Sequence, residues 1–462
     1  MKIKKVIKRI TSVFLLATLI STNAYATEST GFANEIIDGT KEEGTIEELV
    51  EKGKALKVQS NEWKGWVKGP ETSGRSAIVM EAKTGAILYA KNIDEKEYPA
   101  SITKLLTTVL AFEKGDLEKE VTVSDNAINC MLPGYAHVGL KPGNKINLKD
   151  ALYATLIASA NEAAYVVGES VAKENNEDYD WFIEQMNEKC QEIGALNSHF
   201  VNTNGIPDPN HYTTARDMAL IARELYQYPE FFQMSTASSY IIPATPNLEE
   251  INLWQKNKIL IPGAEQYYEW AIGGKTGYTE EARSTLVTMA KKDDLDLICV
   301  VLHTYGSNSY NDTKALFDYG FTNFKKYDIA SFIKEKDLEN YHLEKNLGFC
   351  VLPKSFDTKK LTYKITPNKL DNKEGTLNVY YGKNLVGSAK VETQGNVVTD
   401  KAANNQGETK TNADLKEKGV NSFLIPIGAL GLLFILVLAF LLLVIKRNRK
   451  RKRKKRRKRR RR

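Results

Sequence analysis

A serine and a lysine three residues apart stand at the head of a predicted helix, in residues 99–104. An apolar stripe follows them, and Gly115 is a natural helix end. Since residues three apart share a helix face, Ser101 and Lys104 are expected to point the same way. A desolvated lysine beside another cation can take a serine proton, and the positive helix end favours the developing negative charge. The pair predicts a nucleophilic serine with a lysine base, although an N-capping serine before a solvated lysine is the commoner origin of so short a pattern taken alone.

A second polar group, Ser159 and Asn161, stands between two predicted helices. On a loop, two residues at this spacing can both face a cleft. The serine hydroxyl can relay a proton, and the asparagine amide can hold a lysine or accept a hydrogen bond from a substrate amide. The tripeptide means almost nothing by itself, so its weight depends on the motifs around it.

A third group lies in residues 272–279, where glycines flank Lys275 and Thr276. Glycine lets a substrate backbone lie close against an edge strand. Lys275 and Thr276 can bind a carboxylate there. The backbone N–H just beyond Gly277, together with that of Ser101, can form an oxyanion hole.

The elements that position these groups predict an α/β architecture, an antiparallel sheet fed from both ends of one segment with helices between. Two apolar strands join through residues 83–85, a second Lys-Thr-Gly that precedes the serine and that we interpret as a hairpin turn without a catalytic role. Asn147 and Gly194 are signals for a helix start and a helix end. The predicted strands cover residues 76–80, 86–90, 270–278, 285–290 and 295–302, and the predicted helices include 46–56, 178–193, 214–226 and 312–324.

The two ends of the chain differ in composition from its body. Residues 1–26 join a basic start, an apolar middle and a small-x-small cleavage site, which predicts a secretory signal peptide. An uncharged apolar run long enough to cross a bilayer precedes a basic C-terminal block, which indicates the cytoplasmic side. We therefore expect a single-pass protein of the cell membrane with its body outside the cell. The predicted divisions are a signal peptide (1–26), a polar lead-in (27–66), the α/β domain with the three motifs (67–326), a small β-rich domain (327–393), a flexible linker (394–422), a transmembrane helix (423–445) and a basic tail (446–462).

The net charge of +8 hides an acidic body, because the tail contributes 16 basic residues and the leader 5, which leaves −13 for the rest. A nucleic-acid-binding body is not supported, and for the tail an anchor on acidic lipids is favoured over nucleic-acid binding. The four cysteines, Cys130, Cys190, Cys299 and Cys350, show no zinc-ligand spacing. They allow three disulfide pairings, and Cys190 and Cys299 fit the core of a helix and a strand.

The order of the three motifs resembles that of the penicillin-recognising serine enzymes. Residues 99–104, Asn204-Gly205 and residues 211–218 are similar in detail to the low-molecular-weight D-alanyl-D-alanine carboxypeptidases, over about residues 69–327. The resemblance implies a β-lactamase/transpeptidase-like fold, an antiparallel sheet covered by helices. It also agrees, more loosely, with the β-rich domain and the C-terminal membrane helix.

The resemblance implies a serine peptidase that acts in peptidoglycan biosynthesis and cell shape. Ser101 would attack the bond between the last two D-alanines of a pentapeptide stem, giving an acyl-enzyme and free D-alanine. Lys104 would be the general base, Ser159 would relay protons, and Asn161 would position Lys104 and the substrate. Penicillins would acylate the same serine.

The resemblance likewise implies how the substrate is held. Lys275 and Thr276 would bind its terminal carboxylate, and Gly277 would let it approach. The N–H groups of Ser101 and Tyr278 would form the oxyanion hole. No metal or cofactor is implied.

The sequence departs from the family pattern at a few positions. Tyr278 stands where relatives often have histidine, and Glu162 where aspartate is more usual. The loop 305–312 lacks the arginine that the family commonly places near the substrate carboxylate, so we hypothesise that Arg283 replaces it. His211 fits a packing element at a helix start better than a second base, because the Ser-Lys pair already provides one.

Three other readings share these residues. A serine β-lactamase would need a water-activating glutamate, which the sequence does not identify, and its usual form lacks a β domain and an anchor. Some endopeptidase activity on cross-linked peptides is compatible with the same residues. A non-catalytic wall-binding scaffold would have no need for all three motifs.

Overall fold

The computed structural model describes residues 36–131, 133–333, 338, 341–343, 348–367 and 374–393. The predicted signal peptide, linker, transmembrane helix and basic tail lie outside the described residues. Within those ranges, no helix is long and apolar enough to span a bilayer. The chain divides into the units Met1–Val398 and Thr399–Arg462, and every described residue belongs to the first.

The described chain contains a run of helices between two groups of strands, as the hydrophobic pattern predicts. The helices are α1 (Ile46–Lys54), α2 (Lys104–Lys114), α3 (Asp125–Asn129), α4 (Leu148–Leu156), α5 (Asn161–Glu174), α6 (Tyr179–Ile193), α7 (Ala215–Glu224), α8 (Pro229–Thr236) and α9 (Asn308–Asn323). The strands are β1 (Ser76–Glu81), β2 (Ile87–Lys91), β3 (Glu120–Thr122), β4 (Lys145–Asn147), β5 (Ser239–Ile242), β6 (Ile251–Trp254), β7 (Ala271–Thr279), β8 (Arg283–Lys292), β9 (Leu295–Thr304), β10 (Phe324–Asp328), β11 (Tyr341–Leu343), β12 (Phe349–Pro353), β13 (Leu361–Pro367), β14 (Glu374–Tyr381) and β15 (Asn384–Thr393).

The central sheet is antiparallel, with the strand order β2-β1-β9-β8-β7. Strands from both ends of the domain therefore meet, since β1 pairs with β9, which confirms the predicted arrangement. Every residue of β9 is buried. Its side chains alternate between two hydrophobic clusters: Ile298 and Val300 join the large helical layer, and Leu297 and Cys299 join α9. The sheet is thus covered on both faces, and β7 is left at its edge.

The helical layer begins and ends at the residues that the sequence indicates. The N–H of Asn147 donates to the Asp150 carboxylate at 3.1 Å and starts α4. Asp178 accepts from Trp181 N–H at the start of α6, and Gly194, with φ +81°, ends that helix. These caps fix the ends of helices that pack around α2, whose residues 104–111 are all buried.

The head of the Ser101 helix differs from the prediction. Ser101 lies in a 3₁₀ turn, Ala100–Thr103, and the α-helix begins only at Lys104. Ala100 has φ +51°, outside the helical range, so regular helix cannot extend back through it. No side-chain cap bond is present at either start, and Lys104 is fully buried, which excludes the interpretation as an N-cap with a solvated lysine.

A second sheet follows the α/β domain, in the order β10-β12-β15-β14-β13, with β11 paired to β15. Its strands lie within residues 324–393, where the sequence predicts a small β-rich domain. Its residues Leu377, Val379 and Tyr381 share a hydrophobic cluster with Trp66 and Phe324. The small β domain therefore packs on the α/β domain through apolar side chains.

Residues before the catalytic domain also contribute to its packing. The predicted helix at 46–56 is α1. Trp66 is buried and donates its indole N–H to the Leu88 carbonyl at 2.7 Å. Ser60 Oγ accepts the N–H of Ala90 at 3.1 Å. These contacts tie residues N-terminal to β1 to the edge strand β2.

Candidate active site

The predicted nucleophile and base are in contact. Lys104 Nζ lies 2.8 Å from Ser101 Oγ. The 3₁₀ turn places the serine at the start of α2, where unpaired N–H groups and the helix dipole favour negative charge. The two side chains therefore point the same way and meet, as their spacing predicts.

Lys104 is surrounded by neutral acceptors. Besides Ser101, its Nζ lies 2.8 Å from Asn161 Oδ1 and 2.7 Å from the Asn204 carbonyl. Burial, and next the positive charge of Lys275, hold the pKa of Lys104 well below its usual value. No carboxylate contacts the ammonium. An amine in this setting loses its proton more readily than a solvated lysine does, and the neutral amine can then accept a proton from Ser101.

The second and third motifs meet at one hydrogen bond. Lys275 Nζ donates to Ser159 Oγ at 2.8 Å and to the Thr276 carbonyl at 2.8 Å. Lys275 is 2% exposed. Burial, with a further contribution from the Lys256 charge, lowers its pKa to about 7. Ser159 has φ +61°, and Asn161 at the start of α5 donates from both its backbone and its side chain to Ala136 O at 3.0 Å.

The Lys-Thr-Gly strand lies against the nucleophile turn. A Cβ placed on Gly277 would fall 2.9 Å from Ser101 N and 2.4 Å from Thr285 Oγ1, so only glycine fits. Thr285 Oγ1 donates to Pro99 O at 2.9 Å and joins β8 to the same turn. Because β7 is an edge strand, alternate backbone groups point away from the sheet, where an extended peptide can pair with them.

Two further groups, which sequence reasoning did not identify, hold the site in place. One is the Asn204 carbonyl, which was noticed only as part of a family motif. The other is Glu162, whose Oε1 accepts the N–H groups of Val138 and Gly139 at 2.7 and 3.2 Å. Glu162 thereby fixes the loop whose Ala136 carbonyl accepts both bonds from Asn161. A glutamate next to a motif asparagine gives no sign of this partner 24 residues earlier.

The remaining predicted positions have structural partners. His211 is buried, with Nε2 2.9 Å from Thr103 Oγ1 and Nδ1 accepting the Val201 N–H at 3.1 Å. Burial lowers its pKa to about 3, so it is a neutral packing element, as expected. Residues 83–85 form the turn between β1 and β2, with Thr84 bound to Glu81.

Arg283 does not have a free guanidinium. It donates from Nη2 to the Gly39 carbonyl and lies 3.9 Å from the Glu42 carboxylate. The hypothesis that it replaces the missing carboxylate-binding arginine therefore needs this contact to open. The side chain of Tyr278, by contrast, is 62% exposed to solvent.

All four cysteines lie within the described residues and are free, so none of the three possible pairings is formed. Cys190 and Cys299 are buried in α6 and β9, as the sequence predicted. Within the described ranges, no cluster of His, Cys, Asp and Glu is suited to a metal ion.

The backbone beside the lysine base gives a first prediction. Gly205 has φ +89°, and a Cβ there would lie 1.9 Å from the Ala100 carbonyl oxygen. We expect Gly205→Ala to lower the free energy of unfolding by more than about 1 kcal/mol and to reduce kcat, because the clash moves Ala100 and Asn204. Thermal melting measures the first effect, and steady-state kinetics measure the second.

Gly194→Ala is the matched control for that change. Gly194 has φ +81° but nothing within 4 Å of its Cβ position, so it carries only the backbone penalty. Equal effects of the two substitutions on melting and kcat would contradict the account.

Comparison with known proteins agrees with this geometry. Residues 64–306 match the family described as D-alanyl-D-alanine carboxypeptidase, the S11 peptidases. That match spans more than half of the chain, and the chain belongs to this family of serine peptidases.

Individual relatives are identical to this chain at about a third of the aligned residues or fewer. The D-alanyl-D-alanine carboxypeptidase DacF of Bacillus subtilis is 31% identical over 265 residues, which are 55% of this chain and 64% of the relative. The D-alanyl-D-alanine carboxypeptidase DacC of Escherichia coli is 30% identical over 299 residues, 61% of this chain and 70% of the relative. The Streptomyces K15 DD-transpeptidase structure superposes with a TM-score of 0.51 at 24% identity, covering 55% of this chain and all of that one, which shows the shared fold.

Proposed function

We propose that this protein is a serine-type D-Ala-D-Ala carboxypeptidase that removes the terminal D-alanine from peptidoglycan pentapeptides. The observation that carries the proposal is the 2.8 Å contact between Ser101 Oγ and a buried Lys104 Nζ without a carboxylate partner. Because the pKa of Lys104 is lowered, this amine can take the serine proton as Ser101 attacks, and family membership supports the substrate class.

Acylation begins when neutral Lys104 accepts the hydroxyl proton as Ser101 Oγ attacks the penultimate D-alanine carbonyl. The N–H groups of Ser101 and Tyr278 stabilise the oxyanion. The C–N bond then breaks, and the proton that Lys104 took from Ser101 passes through Ser159 to the leaving amine, which leaves Lys104 neutral again. Ser159 is held for this relay by Lys275 Nζ, which donates to its Oγ at 2.8 Å. D-alanine departs, and the shortened peptide remains as an ester on Ser101.

Deacylation repeats these steps with water as the nucleophile. Lys104 accepts a proton from water, water attacks the ester carbonyl, and Ser101 Oγ leaves and is reprotonated. Penicillins place a strained amide in the same position, so we infer that they acylate Ser101 too.

We further propose that a C-terminal helix (423–445) anchors the catalytic domain on the outer face of the cell membrane, with the basic tail inside.

Release of D-alanine from a diacetylated peptide ending in D-Ala-D-Ala, read with a D-amino-acid oxidase, tests the activity. The same peptide ending in D-Ala-L-Ala is the matched control, because its release products are invisible to that oxidase and mass spectrometry reports them separately. The proposal expects D-alanine from the first peptide and little cleavage of the second. No cleavage of either peptide would refute the carboxypeptidase.

The low pKa of Lys275 predicts a pH dependence of KM. Lys275 is charged below its pKa of about 7 and loses its proton above it. We therefore expect KM for a peptide carboxylate to rise as pH increases from 6 to 8, since the cation that binds the carboxylate is lost. Lys256→Gln removes the second cause of the depressed pKa and should move that rise to higher pH.

Lys258→Gln is the control for this shift. Lys258 is an exposed lysine two residues along the chain and is not among the charges that lower the Lys275 pKa. Initial-rate kinetics across the pH range give KM for each variant. A KM that does not change between pH 6 and 8 in the wild type would contradict the role of Lys275.

A further inference from the structure

A short N-terminal segment, residues 38–42, lies against the catalytic sheet although it precedes the family match at 64–306. The N–H of Gly39 donates to the Glu281 carbonyl at 2.9 Å, and Arg283 donates to the Gly39 carbonyl. The fit is tight, because a Cβ on Gly39 would lie 2.7 Å from Arg283 Nε and 2.8 Å from the Glu280 carbonyl. The N-terminal segment is thus held on the turn between β7 and β8, next to the Lys-Thr-Gly strand.

The last residue of this segment, Glu42, places its carboxylate against side chains of the α/β domain. Glu42 Oε2 accepts hydrogen bonds from His303 Nε2 at 2.8 Å and from the Tyr305 hydroxyl, and it lies 3.9 Å from Arg283 Nε. Burial opposes ionisation of Glu42, but the bonds from His303 and Tyr305 outweigh it and leave its pKa below the usual value. Glu42 is therefore an anion at neutral pH.

His303, at the end of β9, lies between two carboxylates. Its side chain is 3% exposed, with Nε2 2.8 Å from Glu42 and Nδ1 3.4 Å from Glu97 Oε2. Burial alone would lower the pKa of His303, but the two glutamates raise it to about 9. Both ring nitrogens thus carry protons at neutral pH, and the imidazolium links the N-terminal segment to Glu97.

Glu97 is the innermost member of this chain of charges. Its side chain is 1% exposed, receives a hydrogen bond from Ser76 Oγ at 3.0 Å and lies 3.5 Å from Arg75 Nε. Its Oε2 accepts no hydrogen bond, and its contact is the ionic one with His303 Nδ1 at 3.4 Å. The His303 cation is therefore the group that neutralises this oxygen.

The backbone at Glu97 leads directly to the nucleophile. Glu97 and Thr213 exchange backbone hydrogen bonds at 2.8 and 2.9 Å. Four residues later comes Ser101, with Pro99 O held by Thr285 Oγ1 between them. Displacement of Glu97 would be transmitted through this short, strained stretch to the serine.

We propose that Glu42 is a positioning residue, whose carboxylate holds the His303 imidazolium against Glu97 and so fixes the turn that carries Ser101. The inference rests on the proposed function for its catalytic consequence. Glu42, which lies outside the matched residues 64–306, would thereby contribute to the reaction. The groups that face His303 are Glu42, Glu97 and Tyr305, with Arg283 and Arg75 next to the two carboxylates.

Glu42→Gln tests the charge while keeping the shape of the side chain. We expect kcat for D-alanine release to fall on the order of tenfold with KM within about twofold, because the serine is misplaced while Lys275 keeps its contacts to Ser159 and Thr276. Loss of the His303 proton at alkaline pH should lower kcat. In Glu42→Gln this fall should occur at lower pH, since one glutamate instead of two retains the proton. Glu42→Asp should restore part of the rate. Glu43→Gln, at the exposed neighbour, is the matched control and should match the wild type.

Two measurements separate this inference from the proposed function. The His303 ring titration, followed by NMR, should shift to lower pH in Glu42→Gln whatever the substrate is. The rate of acylation by penicillin should fall with kcat.

A kcat and pH profile identical to those of Glu43→Gln would overturn the inference. A higher rate in Glu42→Gln would overturn it too, because the segment would then restrain the site. If Glu42→Gln does not fold, Glu42→Ala, which also removes the carboxylate, decides by the same two criteria. A wild type that titrates as expected but releases no D-alanine would instead refute the proposed function.

Discussion

Ser101→Ala is expected to abolish D-alanine release, with kcat reduced by at least about 10⁴-fold, because the hydroxyl that forms the ester is gone. Penicillin should no longer form a covalent adduct. In the structure, the partner of Ser101 Oγ is Lys104 Nζ, which keeps its contacts to Asn161 and Asn204 when the hydroxyl is removed. The melting temperature should therefore remain close to that of the wild type.

Ser239→Ala is the control for Ser101→Ala, since Ser239 lies exposed on β5. It should leave the rate and the adduct unchanged. Residual turnover by Ser101→Ala above about 1% of the wild type would contradict covalent catalysis at this serine.

Replacement of Lys104 should have an effect almost as large. Lys104→Gln keeps an amide donor for the Asn204 carbonyl but has no basic nitrogen, and Lys104→Arg keeps a cation that stays protonated. Both should lower kcat by about 10³- to 10⁴-fold, because Ser101 loses its base. The wild-type rate should fall in acid, where Lys104 becomes protonated, and the variants should lack that limb.

Lys114→Arg, at the other end of α2, is the control for the arginine variant. Melting curves establish that each protein is folded, and single-turnover acylation by penicillin isolates the step that needs the base. Acylation of Lys104→Gln within tenfold of the wild type would show that another group removes the serine proton.

The sequence predicted the parts of the site that depend on local pattern. Ser101 and Lys104 share a helix start, Lys275 lies on an edge strand, and Asn147 and Gly194 lie at helix ends. Each of these is readable from spacing or from residue preference over a few positions. The meeting of Ser159 with Lys275, 116 residues apart, came from the order of motifs rather than from spacing.

Contacts between distant segments could not be predicted in this way. Glu42 and His303 are 261 residues apart, and Glu42 stands in a polar stretch with no distinguishing pattern. The Asn204 carbonyl is a backbone group, so no residue type marks its role. The 3₁₀ turn at Ser101 follows from the positive φ of Ala100, a residue that local preference would place in a helix.

Intact-protein mass after brief exposure of the purified protein to penicillin tests the central claim most directly. The account predicts one added penicillin mass on the wild type, located at Ser101 by peptide mapping, and none on Ser101→Ala. An adduct that persists in Ser101→Ala, or a wild type that remains unmodified while still releasing D-alanine, would contradict it.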